Sequence, residues 1–333
     1  MFYSNKFIFL SLILMSTMIS VSSNSWLGMW LGLEVNLLSI IPLMNNIKNL
    51  YSSESSMKYF IMQAMASASM LISIIFMNSM EINFQGELKS LIFTSAMLTK
   101  MGAAPFHFWF PEVMEGLDWM VSLIMLTWQK IAPMVILSYL SWNSLMNMTI
   151  LFSCLIGGLM GINQISLRKI IAYSSITHMG WMIAAMMFNS IWIWYWIIYS
   201  FMTMNLIMIL NMTKIYNTNQ MNNLFSKSKM FKISLSLNIL SMGGLPPFIG
   251  FIPKWFTIQL LINNKLYWLS LVLIITTLAT LFFYIRLIIP SFSLNLNEIK
   301  MNFDSYKFMF IANWSNMFNM LGMIFCTLTY NFI

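Results

Sequence analysis

Charge is scarce in this chain: only 8% of its 333 residues are Asp, Glu, Lys or Arg, while 59% are hydrophobic and 16% aromatic. That balance excludes a single soluble domain, because the apolar content exceeds what a core of this length could hide. Cysteine is scarce as well. Cys154 and Cys326 lie far apart in apolar runs, which excludes a Cys-ligated iron–sulfur cluster and argues against a disulfide framework. The sequence also has no GxGxxG after a strand, no GxxxxGK[ST] loop and no metal-ligand spacing. It therefore offers no visible means of binding a nucleotide or carrying electrons. Arginine is reduced to Arg168 and Arg286, against 15 lysines.

What the chain does have is a succession of apolar runs, each approaching the roughly 20 residues that a helix needs to span a bilayer. The sequence predicts an all-α polytopic membrane protein with about eleven transmembrane helices, near 6–22, 26–46, 58–78, 88–104, 118–141, 146–162, 169–187, 191–212, 232–252, 266–288 and 308–330. The first run ends in Ser22-Ser23-Asn24-Ser25, as a signal peptide could, but Trp26 to Met44 follows at once and is equally apolar. No Arg-rich presequence is present, which leaves synthesis inside an organelle open. The 36 Met residues show no compact repeat of the kind a copper-binding array would need. With the many Asn, Ile and Phe they suggest an A/T-rich, mitochondrial type of coding.

Basic residues test the helix count, since Lys and Arg concentrate on the side from which insertion proceeds. If the loops alternate sides, one side holds Lys6, Lys48, Lys58, Arg168, Lys169, Lys214, Lys227, Lys229, Lys232, Arg286, Lys300 and Lys307; the other holds Lys89 and Lys265. A missed span would scramble this asymmetry. The N-terminus is therefore expected inside and the C-terminus outside. The net charge of +8 then reads as topology and as contact with anionic membrane lipids such as cardiolipin, with no nucleic acid as partner. Trp26, Trp30, Trp192, Trp194 and Trp196 suit the interfacial belts.

Three basic residues, Lys100, Lys130 and Lys254, fall inside the apolar runs. Near the first, Gly102-x-x-Pro105-Phe106-x-x-x-x-Pro111 recurs as Gly244-x-x-Pro247-Phe248-x-x-x-x-Pro253, 142 residues and five predicted helices later. An odd helix offset reverses direction across the membrane, which is the mark of an inverted repeat. One membrane domain over 1–333 is expected, with 6–141 and 146–290 as its two halves and 308–330 as a C-terminal helix. Each half contains a broken helix, near 98–112 and 242–255. Such Gly- and Pro-interrupted segments mark ion sites in transporters. Proline frees backbone carbonyls near Met101 and Met242, and freed groups persist at membrane depth only where protein or a wet cavity satisfies them.

Lysine at such a place can exchange a proton as its surroundings change, whereas arginine stays charged. Glu34, the one carboxylate near the middle of an apolar span, needs a partner, and Lys100 is the natural one. Lys130 lies near the centre of the fifth predicted helix, roughly 15 Å from either end, so snorkelling is difficult. His178 shares a helix face with Ser174 and Ser175; it reads equally well as a packing hydrogen bonder. Ser234, Asn238 and Ser241 form a second polar stripe. His107, among Phe106, Phe108 and Trp109, reads as interfacial, and Glu112, Glu115 and Asp118 as a solvated loop.

The segments LTKMGAAPFHFWFPEVMEGL, TWQKIAP, LRKIIAYSSITHMGW and GGLPPFIGFIPKW resemble the antiporter-like membrane subunits of respiratory complex I, and the likeness runs over nearly the whole chain. It implies that Glu34 and Lys100 form the coupling ion pair of a first half-channel. It implies Lys130 as a central proton carrier, His178 as part of the link to the second half, and Lys254 as the residue of the exit half. Other membrane subunits, antiporter-like ones among them, are the implied partners in the inner mitochondrial membrane, with the N-terminus in the matrix. NADH, FMN, iron–sulfur clusters and ubiquinone are implied to be handled by other subunits, with no cofactor in this chain. Bacterial members carry three further N-terminal helices that this sequence does not show. Two rivals stay open: a separate cation/proton antiporter, and a structural subunit that has lost transport, whose mark would be missing buried Lys or Glu.

Overall fold

The structure, a computed structural model, describes residues 2–46, 49–78, 85–140, 144–188, 191–225 and 229–293, with Trp314, Asn316, Met317, Asn319 and Gly322. Most of the helix expected at 308–330 lies outside the described residues, as does Cys326. Among the described residues every regular element is helical apart from one isolated antiparallel bridge between Ser166 and Asn217. Five helical segments among the described residues are long and apolar enough to cross a membrane: Trp26–Met44, Leu50–Met77, Trp119–Ser138, Ile191–Thr213 and Tyr267–Pro290. Lys6–Ser22 and Ser144–Met160 are shorter apolar helices. The chain divides into two compact units, Met1–Ile150 and Leu151–Ile333.

Unit 1 contains α1 (Phe2–Ser22), α2 (Trp26–Met44), α3 (Leu50–Asn78), α4 (Gln85–Met101), α5 (Trp109–Gly116), α6 (Trp119–Leu126) and α7 (Ile131–Ser138). A 3-10 turn, Trp128–Lys130, separates α6 from α7. α8 (Ser144–Met160) runs across the division. Unit 2 holds α9 (Leu167–Met186), α10 (Ile191–Thr213), α11 (Thr218–Phe225), α12 (Lys229–Gly243), α13 (Phe251–Asn263) and α14 (Tyr267–Ser293).

Hydroxyl side chains are admitted to these apolar helices because they bond back to their own turns. Ser16 Oγ donates to Ile13 O at 2.9 Å, Ser20 Oγ to Thr17 O at 2.8 Å and Ser39 Oγ to Asn36 O at 2.8 Å. Each bond satisfies the hydroxyl without a partner from another helix. Small residues also let helices approach closely in the absence of a hydrophobic drive between them. A Cβ on Gly32 of α2 would fall 2.7 Å from the Ser20 backbone nitrogen of α1.

The repeated motif spells out a helix stop and a restart. α4 ends at Met101 and Gly102 takes φ +70°; α12 ends at Gly243 and Gly244 takes φ +77°. Glycine adopts this left-handed conformation without the penalty a Cβ brings. At the first stop, Gly102 N donates to Thr99 O and Ala103 N to Leu98 O, both at 3.1 Å, which is the paired closure of a Schellman ending. At the second, Gly244 N donates to Ser241 O at 3.0 Å. The motif's last prolines, Pro111 and Pro253, fall in the first turns of α5 and α13. There a missing N–H costs no intrahelical bond.

Three features differ from the sequence expectation. The fifth predicted helix, 118–141, is interrupted at Thr127. Pro133 explains this, because it cannot donate to the Gln129 carbonyl one turn earlier. The helix expected at 232–252 stops at Gly243, and α13, an additional element, carries Lys254. Glu112 and Glu115 belong to α5 rather than to a loop, while Asp118 directly precedes α6. Exposed Glu112 and Glu54 both pair with Lys58 at 2.9 Å, tying α3 to α5.

Gly102→Ala is expected to destabilise unit 1 by about 1–2 kcal/mol through the left-handed backbone alone. The added Cβ would also press on Phe110 at 3.0 Å. The check is the thermal unfolding midpoint in mild detergent; an unchanged midpoint would contradict the assigned helix stop.

Candidate functional site

In unit 1 the three groups singled out by the sequence come from three elements: Glu34 from α2, Lys100 from the last turn of α4, and Lys130 from the 3-10 turn. Lys100 is 7% exposed and Lys130 1% exposed. Charged groups buried this far are rare unless something compensates them. The Glu34 carboxylate lies within electrostatic reach of the Lys100 ammonium, although among the described residues the two do not form a direct ion pair within 4.0 Å. Glu34 is half-buried, and its Oε1 has no hydrogen-bond partner among the described residues. The pair is thus coupled through space and free of a fixed bond.

The break after Lys100 is closed by side chains from two directions. Gln63 Nε2 of α3 donates to the Lys100 carbonyl at 3.2 Å, and Trp109 Nε1 of α5 donates to the Thr99 carbonyl at 3.1 Å. His107, expected at an interface, is buried, with Nδ1 3.3 Å from Pro105 O. Phe110, eight residues past the glycine, sets its ring 5.5 Å from Lys130 Nζ. The negative face of an aromatic ring stabilises a cation at that distance. The aromatic cluster of the first break therefore reaches the lysine of the fifth span, a link that sequence spacing does not reveal.

A second link was also invisible. Asn36 Nδ2 donates to Gln129 Oε1 and Gln129 Nε2 donates to Asn36 Oδ1, each at 2.9 Å. This reciprocal amide pair joins the position two after Glu34 to the position just before Lys130. The helix carrying the carboxylate is thereby fixed to the turn carrying the lysine. A signal was present in the sequence: Asn36 and Gln129 are polar residues inside apolar spans, each beside a charged group.

In unit 2 the sequence-predicted groups are His178 on α9 and Lys254 on α13. Lys254 is 6% exposed, and its Nζ donates to the Gly243 carbonyl at 2.8 Å, across the second break. Either an ammonium or a neutral amine can make that bond, so capping the helix end and exchanging a proton are compatible. A Cβ on Gly244 would lie 2.8 Å from that Nζ; the glycine leaves room for the lysine. His178 is buried, its Nδ1 sharing a 2.9 Å hydrogen bond with the Tyr195 hydroxyl of α10. The stripe Ser234, Asn238 and Ser241 is internally bonded: Asn238 Nδ2 donates to Ser234 O and Ser241 Oγ to Asn238 O, both at 2.7 Å. Asn319 Nδ2 adds a bond to Asn238 Oδ1 at 2.9 Å.

Buried lysines at helix breaks, with a carboxylate near one of them, define a membrane protein of the ion-translocating class. A family model described as "NADH:quinone oxidoreductase/Mrp antiporter, TM" matches residues 23–280, and the chain belongs to that family. The NADH-ubiquinone oxidoreductase chain 2 of Anopheles gambiae is 45% identical over 96% of this chain and 93% of its own length. Among solved structures, a chain in respiratory complex I from Thermus thermophilus with bound aureothin superposes with a TM-score of 0.85 at 20% identity, covering 96% of this chain and 78% of that one. A chain of the membrane-bound sulfane sulfur reductase, an archaeal respiratory membrane complex, gives 0.79 at 16% identity, covering 96% and 72%. These likenesses establish an all-helical, antiporter-like membrane fold.

Asn36→Leu is expected to cost about 1 kcal/mol, because it removes both hydrogen bonds to the half-buried Gln129 amide. Asn36→Leu combined with Gln129→Leu should cost less than the sum of the two single changes. Thermal midpoints of the four proteins measure the coupling; strict additivity would dissolve the pair as a structural unit.

Proposed function

We propose that the chain works as a membrane subunit of the proton-translocating NADH:ubiquinone oxidoreductase. In this reading it carries protons across the inner mitochondrial membrane while NADH, FMN, iron–sulfur clusters and ubiquinone are handled by other subunits. The observation that carries the reading is Lys130, buried at an interrupted helix, flanked by Phe110 and tied through Gln129 to the helix of Glu34. A purely structural subunit has no need of that arrangement. The finer architecture belongs to the same proposal. It comprises about eleven spans in a single membrane domain, two inverted repeats over 6–141 and 146–290, a C-terminal helix at 308–330, and the N-terminus in the matrix with the C-terminus outside. The shared Gly102 and Gly244 stops and the one-sided distribution of lysines support it.

The mechanism follows from a charge change delivered by neighbouring membrane subunits. A change in the Glu34–Lys100 attraction alters how firmly Lys100 holds its proton, and the proton passes toward Lys130. In unit 2 His178 forms part of the link onward, and Lys254 does the corresponding work on the exit side. Each tenfold change in proton affinity is about 1.4 kcal/mol, and moving one charge through 100 mV takes roughly 2.3 kcal/mol. A change of two to three powers of ten at a carrier therefore suffices, provided that access alternates. The second reading, a separate cation/proton antiporter, is favoured by the inclusion of Mrp antiporters in the same family.

Lys130→Met and Glu34→Gln should each leave the complex assembled and lower the number of protons moved per NADH; an unchanged ratio in both would remove the assigned roles. The two readings separate on a native gel of gently solubilised membranes, stained for NADH dehydrogenase activity, with mass spectrometry locating the chain. Presence in the large active band is the expected result. Presence only in a small inactive assembly would transfer the chain to the antiporter reading.

A further inference from the structure

α10 reads IWIWYWIIYSFMTMNLIMILNMT, with large side chains along most of its length. Trp194, Ile193 and Ile197 face outward and are exposed, as lipid-facing residues should be. Tyr195 and Tyr199 are fully buried and lie four residues apart, hence on one face. Both turn toward His178: the Tyr195 hydroxyl bonds its Nδ1 at 2.9 Å, and the Tyr199 ring centroid is 5.0 Å from that of the imidazole. A phenylalanine would fill the same space without the expense of taking a hydroxyl out of water. The hydroxyl at 195 therefore needs a reason that packing does not give.

The surroundings of Tyr195 supply one. Its hydroxyl lies within electrostatic reach of Cys154, Tyr199 and Tyr284, and Cys154 in turn lies within reach of Lys254. Cys154 Sγ approaches Thr177 O at 3.8 Å, one residue before His178. Cys154 thus stands in the electrostatic neighbourhood of both Tyr195 and Lys254, and Tyr195 makes the hydrogen bond to the imidazole.

We propose that Tyr195 is a proton-carrying residue that exchanges protons directly with His178 and joins it to the side of unit 2 where Lys254 stands. The inference rests on the proton-carrier reading of His178 given above. The step balances without any ionised tyrosine. With the imidazole hydrogen on Nδ1, Nε2 takes up a proton, Nδ1 gives its hydrogen to Oη, and Oη passes its own hydrogen on, by way of the polar groups behind it, toward a neutral Lys254 amine. One proton enters at Nε2 and one leaves at Oη. The hydrogen bond between Tyr195 and His178 is left pointing the other way, so a second proton follows only after hydroxyl and ring have turned back. The pair therefore passes one proton per reset.

The test uses the assembled complex in sealed vesicles, with protons moved per NADH as the readout and the amount of complex normalised by NADH oxidation with a water-soluble acceptor. Tyr195→Phe keeps the ring and removes only Oη. It should lower the ratio as far as His178→Gln does, and the double variant should lose no more than either single. A lowered ratio in His178→Gln with an unchanged ratio in Tyr195→Phe overturns this inference and leaves the proposed function standing. Unchanged ratios in both overturn the role of His178 and the inference together. If Tyr195→Phe fails to assemble, Tyr195→Gln provides the second measurement, since an amide restores a hydrogen bond and does not readily pass a proton on. Recovered assembly with a low ratio is the expected result; recovery of the ratio as well makes the role structural and overturns the proposal.

Discussion

In a hydrocarbon solvent every backbone N–H and C=O must find its partner inside the protein, and an interrupted helix is the place where that requirement bites. This chain interrupts helices at residue 102, at residue 127 and at residue 244. Each interruption releases carbonyls that no water of the bilayer interior can satisfy. The remainder of the architecture answers that demand. Gln63 and Trp109 reach the carbonyls of Lys100 and Thr99, Lys254 reaches that of Gly243, and the Arg286 guanidinium reaches that of Ile162 beyond the end of α8. Long donors from neighbouring helices thus close ends that in a soluble protein water would close.

The same requirement explains why the candidate proton carriers sit where they do. A break concentrates polar atoms at membrane depth, and only such a place tolerates an ionisable side chain. Lys100 precedes one break, Lys130 ends the 3-10 turn of another, and Lys254 follows the third. Their surroundings nevertheless differ in kind. Lys254 is held by a carbonyl, Lys130 by an aromatic face, and Lys100 is influenced by a carboxylate to which it is not directly bonded. Three cations of one residue type thereby meet three different fields, which is what a directional transfer needs.

The helix stops were legible in the sequence because Gly and Pro act locally: the nine-residue spacing from Gly102 to Pro111 and from Gly244 to Pro253 encodes a stop, a turn and a restart without reference to any other helix. The electrostatic nearness of Glu34 and Lys100 was also legible, since two uncompensated charges in apolar runs of one half have few other ways to be stabilised; the direct ion pair expected of them is not formed among the described residues. The interruption at Thr127 was missed although its cause was printed in the chain. Hydropathy averaged over a span ignores the one carbonyl that Pro133 leaves unpaired. α13 was missed because a thirteen-residue helix after a break falls below the length at which an apolar run reads as a span. Phe110 under Lys130, Asn36 with Gln129 and Tyr195 with His178 depend on which helix faces are neighbours. No spacing within one helix carries that information.

The division of labour between the two cationic residue types follows from their chemistry. Both arginines reach the ends of helices: Arg168, in the first turn of α9, stacks 4.7 Å from the Tyr216 ring, and Arg286, within α14, donates at 2.8 Å to Ile162 O just past the end of α8. A guanidinium keeps its charge in any protein surrounding and offers a rigid fork of donors, so it suits a fixed anchor. At the three interior breaks the cation is lysine each time, a group able to give up its proton when its field changes. If these interior cations served only to cap carbonyls, arginine would do so with more donors and a firmer geometry. Arginine is thus confined to the periphery, whereas the cation at each of the three interior breaks is lysine, the choice that the proposed proton exchange calls for.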